Sequence, residues 1–213
     1  MAEMSFSGLN IGCGLSGAAG WVNIDNSPTI PISRIPVLRR FAPPWPRDVR
    51  RIDVLKRFPF AAESIDYIYS SHTFEHFSYE AASDLLKNCH RALKPSGIIR
   101  VAVPDLSKLV DGYLKDPSPL ASHAFIDRLM LRSTVRGLFH PGAHHQQMFD
   151  ARSLLHLMSE TGYNPHVREF RVSAIPGIEQ IEIPERRDES LYIEATKVRE
   201  GGPDPATRIA RLP

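Results

Sequence analysis

A glycine-punctuated turn near the start of the chain, Leu9-Asn10-Ile11-Gly12-Cys13-Gly14, limits the folds open to this sequence more than any other stretch. The apolar residues ahead of it read as a short strand. Glycine at both 12 and 14 then lets the backbone bend and approach a ligand with no Cβ in between. Trp21-Val22-Asn23-Ile24-Asp25 reads as the next short strand and closes on an acid. Doubly wound α/β sheets place a carboxylate there to accept hydrogen bonds from a ribose diol, opposite the glycine turn. The pair of strands therefore predicts an α/β fold with a nucleotide-type site at the carboxyl ends of its strands.

The link between these strands, residues 13–20, is too short for the usual crossover, since parallel neighbours commonly need a dozen or more connecting residues and a helix. The first crossover helix is thus expected to be missing or reduced to a turn. Prolines at 28, 31, 36, 43, 44 and 46 follow, with Arg34, Arg39, Arg40, Arg47, Phe41 and Trp45 among them. Proline removes backbone donors and restricts the residue before it, which excludes a long regular element here. Two readings stay open for 26–48: a solvated loop with a few pinned apolar residues, or a lid over the site.

Residues 50–53 read as a third strand and a fourth starts near Ile65-Asp66; Ser71-His72-Thr73-Phe74-Glu75-His76 lies after it, at the carboxyl end of the strand, where residues favour function. A helix over 79–93 puts Ala82, Leu85, Leu86, Cys89 and Leu93 on one stripe, and Pro95 and Gly97 end it. A fifth strand spans 98–103, interrupted by Arg100, and Asp105 is a candidate N-cap for a helix to about 114. Further helices are expected over 120–132 and 151–161, and closing strands over 167–172 and 191–197. One domain accounts for 1–198, with inserts near 26–48 and 115–147, and a frayed tail is expected over 199–213. At 213 residues and 42% hydrophobic the chain can bury a full core, so no second domain is needed.

The stretch 8–105 resembles the class I S-adenosylmethionine (SAM) dependent methyltransferases, in particular the small ones with a type 11 methyltransferase domain. The Asp25 strand end, Asp53 ahead of the Phe58-Pro59-Phe60 turn, and Pro104-Asp105-Leu106 carry the likeness. His145-Gln146-Gln147-Met148-Phe149-Asp150 is similar to the family's His-x-x-Met-Phe-Asp segment. The resemblance implies a Rossmann-like sheet, mostly parallel with an antiparallel last strand and helices on both faces. It implies SAM as cofactor, bound by Asn10, Gly12, Cys13, Gly14, Asp25, Asp53, Val54, Ser71 and His72. Asp53 would face the adenine amino group, with the Val54 backbone near the ring.

A hydroxyl acceptor requires a proton to leave as the methyl arrives, and a histidine near neutral pKa suits that task. His72, His76, His140, His144 and His145 stand near strand ends or in the loop above them, and the pair His144 and His145 is the best placed by sequence. Glu75 and His76 would orient that base or line the acceptor pocket. A divalent metal is conceivable, but no ligand spacing calls for one, and none is expected. No Asp-Pro-Pro-Tyr or Asn-Pro-Pro-Tyr segment follows the fourth strand, and no Pro-Cys nucleophile occurs, which puts hydroxyls ahead of nucleic-acid bases. With a net charge of only +2, no nucleic-acid partner is expected. The likeness in size to polysaccharide-linked family members, of the mycobacterial methylmannose polysaccharide kind, points to O-methylation of a saccharide. A quinone precursor or other small metabolite is the alternative acceptor, and a SAM-binding module without turnover the alternative class. Two isolated cysteines and the lack of a signal or membrane-spanning stretch lead to an expected cytoplasmic location, and prior frequency favours a homodimer.

Overall fold

Alternation along the first strand sets the two faces of the sheet. In β1 (Gly8–Ile11), Leu9 and Ile11 join the main apolar core, whereas Gly8 and Asn10 point the other way. Gly8 is required there because the Trp21 ring lies across it: an added Cβ would stand 2.5 Å from the indole. The computed structural model describes residues 7–130 and 144–198 of the chain. The remaining strands are β2 (Trp21–Asp25), β3 (Arg50–Arg51), β4 (Ile65–Ser71), β5 (Leu93–Pro104), β6 (Tyr163–Arg168) and β7 (Ser190–Lys197). They form one seven-stranded sheet in the order β3-β2-β1-β4-β5-β7-β6. Along β3-β2-β1-β4-β5 every pair is parallel, and β7 is antiparallel to both β5 and β6. This is the mostly parallel sheet with an antiparallel last strand that the resemblance implies.

Helix α1 (Thr29–Ser33) is short, as the prolines dictate, and α2 (Tyr79–Ala92) covers the main core with Ala82, Leu85, Leu86 and Cys89. Ser78 caps α2 by accepting from the Ala81 N–H. Asp105 caps α3 (Leu106–Lys115) in the same manner through Ser107, and α4 (Ala121–Met130) follows. Helix α5 (Ala151–Glu160) packs Leu154, Leu157 and Met158 on the same face as α2. No helix among the described residues is long and apolar enough to cross a membrane.

The opposite face is closed differently. No helix joins β1 to β2, as expected from the short link, and the 12–20 loop is held instead by the buried Asn23 amide. Asn23 Oδ1 accepts from the Ala18 N–H at 2.9 Å and from Asn10 Nδ2 at 3.1 Å, while its Nδ2 donates to the Ala18 carbonyl at 2.9 Å. Over this face lie Ile175, Ile178 and Ile181 from the β6–β7 connection, packed with Trp21 and Tyr69; the connection carries two short 3-10 helices, Ile178–Gln180 and Pro184–Arg186.

Three boundaries depart from expectation, the first at β5, which begins at Leu93 rather than 98, directly after α2, so that Leu93, Pro95 and Gly97 belong to the strand and not to the helix or its end. The sixth strand is Tyr163–Arg168 rather than 167–172, because Gly162 (φ 92°) ends α5 abruptly and Tyr163 is buried, its hydroxyl donating to the Leu86 carbonyl at 2.9 Å. Pro165 argues against a strand in the sequence, yet β6 is the edge of the sheet, where proline is tolerated. The third strand keeps only Arg50–Arg51 of the expected 50–53, since the Asp53 carbonyl accepts from the Lys56 and Arg57 N–H groups and turns the chain.

Candidate active site

The carboxyl end of β1 opens into the glycine turn. Gly12 (φ 65°) and Gly14 (φ 55°) both sit in the left-handed region, and the Gly12 and Cys13 N–H groups donate to the Ile24 carbonyl of β2. Asp25 completes the turn from the neighbouring strand end: Oδ2 accepts from the Gly14 N–H at 3.0 Å and Oδ1 from the Ser27 N–H at 2.8 Å. Each oxygen has a second lone pair left for a ligand. The two glycines differ in their surroundings. A Cβ on Gly12 would stand 2.0 Å from Thr73 Oγ1, whereas one on Gly14 would meet nothing within 4 Å. Gly12 thus permits close packing against the end of β4, and Gly14 borders open space.

The other residues expected at the cofactor are placed unequally. Asn10 is buried and its amide is engaged by Asn23, so it braces the sheet beneath the turn. Cys13 packs with Ile30 and Val49, and burial pushes its thiol up to about 12, which keeps it protonated. Trp45 packs on the same cluster and donates to Thr29 Oγ1 at 2.8 Å, so part of the Pro-rich segment is pinned under the turn. Asp53 is partly exposed near the end of β3, with Lys56 Nζ 3.5 Å away, and Val54 joins the core. Ser71 ends β4, and Thr73 donates to its carbonyl. Thr73, which packs on Gly12, and Asn23, which holds the loop, carried no sequence signal of their own.

Beyond β4 the chain makes a sharp turn in which His72 adopts φ 50°, a strained value for a non-glycine residue of the kind that gathers at functional sites. Its Nε2 stands 2.8 Å from Ser190 Oγ at the start of β7, and its Nδ1 is 3.6 Å from Glu75 Oε1. Burial, reinforced by Arg186 and the neighbouring imidazoles, holds His72 down to about 3, and burial pushes the Glu75 carboxyl up to about 8. At neutral pH both groups are uncharged, so their contact is not an ion pair. Glu75 is 1% exposed, and neither of its oxygens has a hydrogen-bond partner among the described residues.

Segment 144–147 docks on this turn, its Gln146 and Gln147 N–H groups donating to the Glu75 carbonyl. The two histidines expected to serve as base then face the end of α4. His145 Nδ1 lies 3.1 Å from the Leu129 carbonyl and His144 Nδ1 lies 3.4 Å from that of Met130. A carbonyl only accepts, so each Nδ1 carries the proton and each Nε2 keeps a free lone pair. Burial, and next the charge of His76, lower the His145 pKa. The rings of His76 and His145 stand 5.3 Å apart, so Glu75, His76 and His145 form one cluster, with His72 behind it and His144 on its exposed rim. His140 lies outside the described residues.

Comparison with known proteins bears on the fold and the family. A family model described as "Methyltransferase domain" matches residues 9–166. No curated protein sequence matches the chain. Among solved structures, the SAM-dependent methyltransferase of Archaeoglobus fulgidus superposes with a TM-score of 0.53 at 15% identity, covering 92% of this chain and 87% of that one. The SAM-dependent methyltransferase of Mesorhizobium loti gives 0.52 at 18% identity, with 92% and 94% covered. The CurJ carbon methyltransferase gives 0.52 at 13% identity, covering 92% of this chain and 50% of that one. At such identities the structures speak for the fold, and the family model, spanning most of the chain, speaks for its membership. The chain belongs to the class I SAM-dependent methyltransferases.

Proposed function

We propose that this methyltransferase acts on a hydroxyl of a saccharide acceptor, with His145 or His144 as general base. The residues present fit SAM. Gly14 presents bare backbone to open space, Asp25 ends β2 with lone pairs to spare, and Thr73 packs the far side of the turn. SAM supplies a methyl on a sulfonium, already primed for displacement. The protein's own part is to hold the acceptor oxygen in line and to receive its proton.

The observation that carries the O-directed reading is the docking of both imidazoles on the last carbonyls of α4, which leaves both Nε2 atoms as acceptors, with His145 beside the buried Glu75 carboxyl and His144 on the exposed rim. The lowered pKa of His145 keeps it neutral, the form that accepts a proton. Exposed Phe41, with the Arg40 guanidinium 4.6 Å from its ring centroid, offers the aromatic and polar surface that suits a sugar. Labelled SAM and a panel of saccharide, phenolic and quinone-precursor acceptors test the proposal. His145→Ala or His144→Ala should slow transfer to the saccharide by about 10²- to 10⁴-fold while SAM affinity stays within twofold. Loss of less than tenfold in both variants, at saturating acceptor, would assign the loop to scaffolding.

The Pro-rich segment leaves Ile35, Val37 and Leu38 exposed, which supports its use as a lid or as a homodimer contact. Light scattering decides the dimer: a monomer mass unchanged with concentration removes it.

A further inference from the structure

Glu75, His76 and His145 each offer one ligand atom, and these atoms lie within 4.8 Å of one another. The cluster is prepared in ways that ordinary polar packing does not require. The Glu75 carboxyl is fully buried, and among the described residues neither of its oxygens has a hydrogen-bond partner, a condition costly enough that a buried group of this kind ordinarily has one. His76 donates Nδ1–H to the His144 carbonyl at 3.3 Å, and His145 donates Nδ1–H to the Leu129 carbonyl at 3.1 Å. Such bonds fix the tautomer and aim of the ring, as the outer partners of metal-bound imidazoles do. The Glu75 carbonyl accepts from the Gln146 and Gln147 N–H groups, which holds the segment that carries His145 against the turn that carries Glu75 and His76.

We propose that Glu75, His76 and His145 bind a divalent first-row cation of the zinc type. Two imidazoles and one carboxylate suit Zn²⁺ and its spectroscopic substitute Co²⁺ better than Mg²⁺ or Ca²⁺, which prefer oxygen. Three protein ligands leave a position open. The site itself rests on geometry alone. Its use, holding the acceptor oxygen at that open position, rests on the hydroxyl-methylation reading, and there His144, whose Nε2 is outside the cluster, takes the proton. The ligand atoms lie within 4.8 Å of one another, against the separation of about 3.3 Å that four-coordinate bonds near 2.0 Å impose, so uptake of the ion draws the three side chains together.

The full chain, stripped with a chelator and free of SAM and acceptor, is titrated with Co²⁺ by visible absorption and with Zn²⁺ by calorimetry. One equivalent should bind, with ligand-field bands of a four- or five-coordinate ion. Glu75→Gln and His145→Ala should each weaken binding by more than about 100-fold, beyond the effect of a lost orienting partner. His156→Ala, which removes the surface pair of His156 with Glu160, should bind as the parent does. If His145→Ala fails to fold, the isosteric Glu75→Gln carries the test. No binding by the parent, or parent-like binding by Glu75→Gln, overturns the site. SAM binding measured on the same proteins separates the two claims. A protein that binds SAM and methylates a hydroxyl but takes up no Co²⁺ lacks the metal site and keeps the activity. One that binds Co²⁺ and methylates no hydroxyl keeps the site and loses the role given to it.

Discussion

Gly12 and Gly14 share a backbone conformation and differ in what surrounds them, which makes them a matched pair of probes. An alanine at either position costs about 1 to 2 kcal/mol for the left-handed conformation. At Gly12 the new Cβ also meets Thr73 Oγ1 at 2.0 Å, so Gly12→Ala should lose about 2 to 5 kcal/mol of stability in urea titrations. Gly14→Ala meets no atom of the protein, so its stability loss should stay near the conformational cost alone. Its Cβ nevertheless enters the space assigned to the cofactor, and SAM affinity by calorimetry should fall by at least tenfold. Parent-like SAM binding by Gly14→Ala would place the cofactor elsewhere. The turn itself was legible in the sequence because it is local: the glycines, the preceding apolar run and Asp25 lie within one short stretch, and the structure brings them together. Glu75 was visible only as an acid after a strand, since its burial comes from segment 144–147, some 70 residues away along the chain.

At the scale of elements, α5 depends on its first turn. Asp150 Oδ1 accepts from the Ser153 N–H at 2.8 Å, and Ser153 Oγ accepts from the Asp150 N–H at 3.0 Å, a reciprocal cap. The Ser153 backbone bond, with Arg152 nearby, lowers the Asp150 pKa from its ordinary 3.8. A depressed carboxylate pKa adds stability that is present above the unfolded value and is lost as pH falls through the folded one. Asp150→Ala should therefore cost about 1 kcal/mol near pH 7, and the gap to the parent should narrow below about pH 4. Melting curves of both proteins across pH 2 to 7 measure it; a gap that widens in acid contradicts the assignment. The histidines bear on the same element logic, because α4 orients both His144 and His145 through its final carbonyls, and no local pattern announces that pairing. Helix stripes and caps could be read from spacing, whereas β6 could not: Pro165 carries a negative signal that only its edge position cancels.

Across the whole molecule, the face left open by the missing first crossover helix is closed by a connection more than 100 residues downstream, and Arg100 holds that closure. The sequence showed Arg100 only as an interruption of an apolar strand. It is fully buried at the middle of β5, with its Nε 2.6 Å from Glu182 Oε1 and Glu194 opposite it on β7. Its remaining N–H groups donate to the Val172 carbonyl at 3.0 Å and the Glu169 carbonyl at 2.8 Å, while Glu182 Oε2 accepts from the Arg171 N–H. The fork therefore ties the connection 169–182 to the centre of the sheet, beside Ile175, Ile178 and Ile181. Lysine cannot reproduce it, since a single ammonium lacks the planar set of donors. Arg100→Met leaves the buried Glu182 carboxylate without its cation, while Glu194 keeps Arg168 at 3.9 Å, and breaking one side of a buried pair costs about 3 to 5 kcal/mol. Urea unfolding should show that loss, and hydrogen exchange should show it first as lost protection of the 169–182 amides, ahead of the α2 and α5 core. A variant within 1 kcal/mol of the parent, or one whose protection falls evenly over the sheet, would mean that the apolar contacts alone close this face.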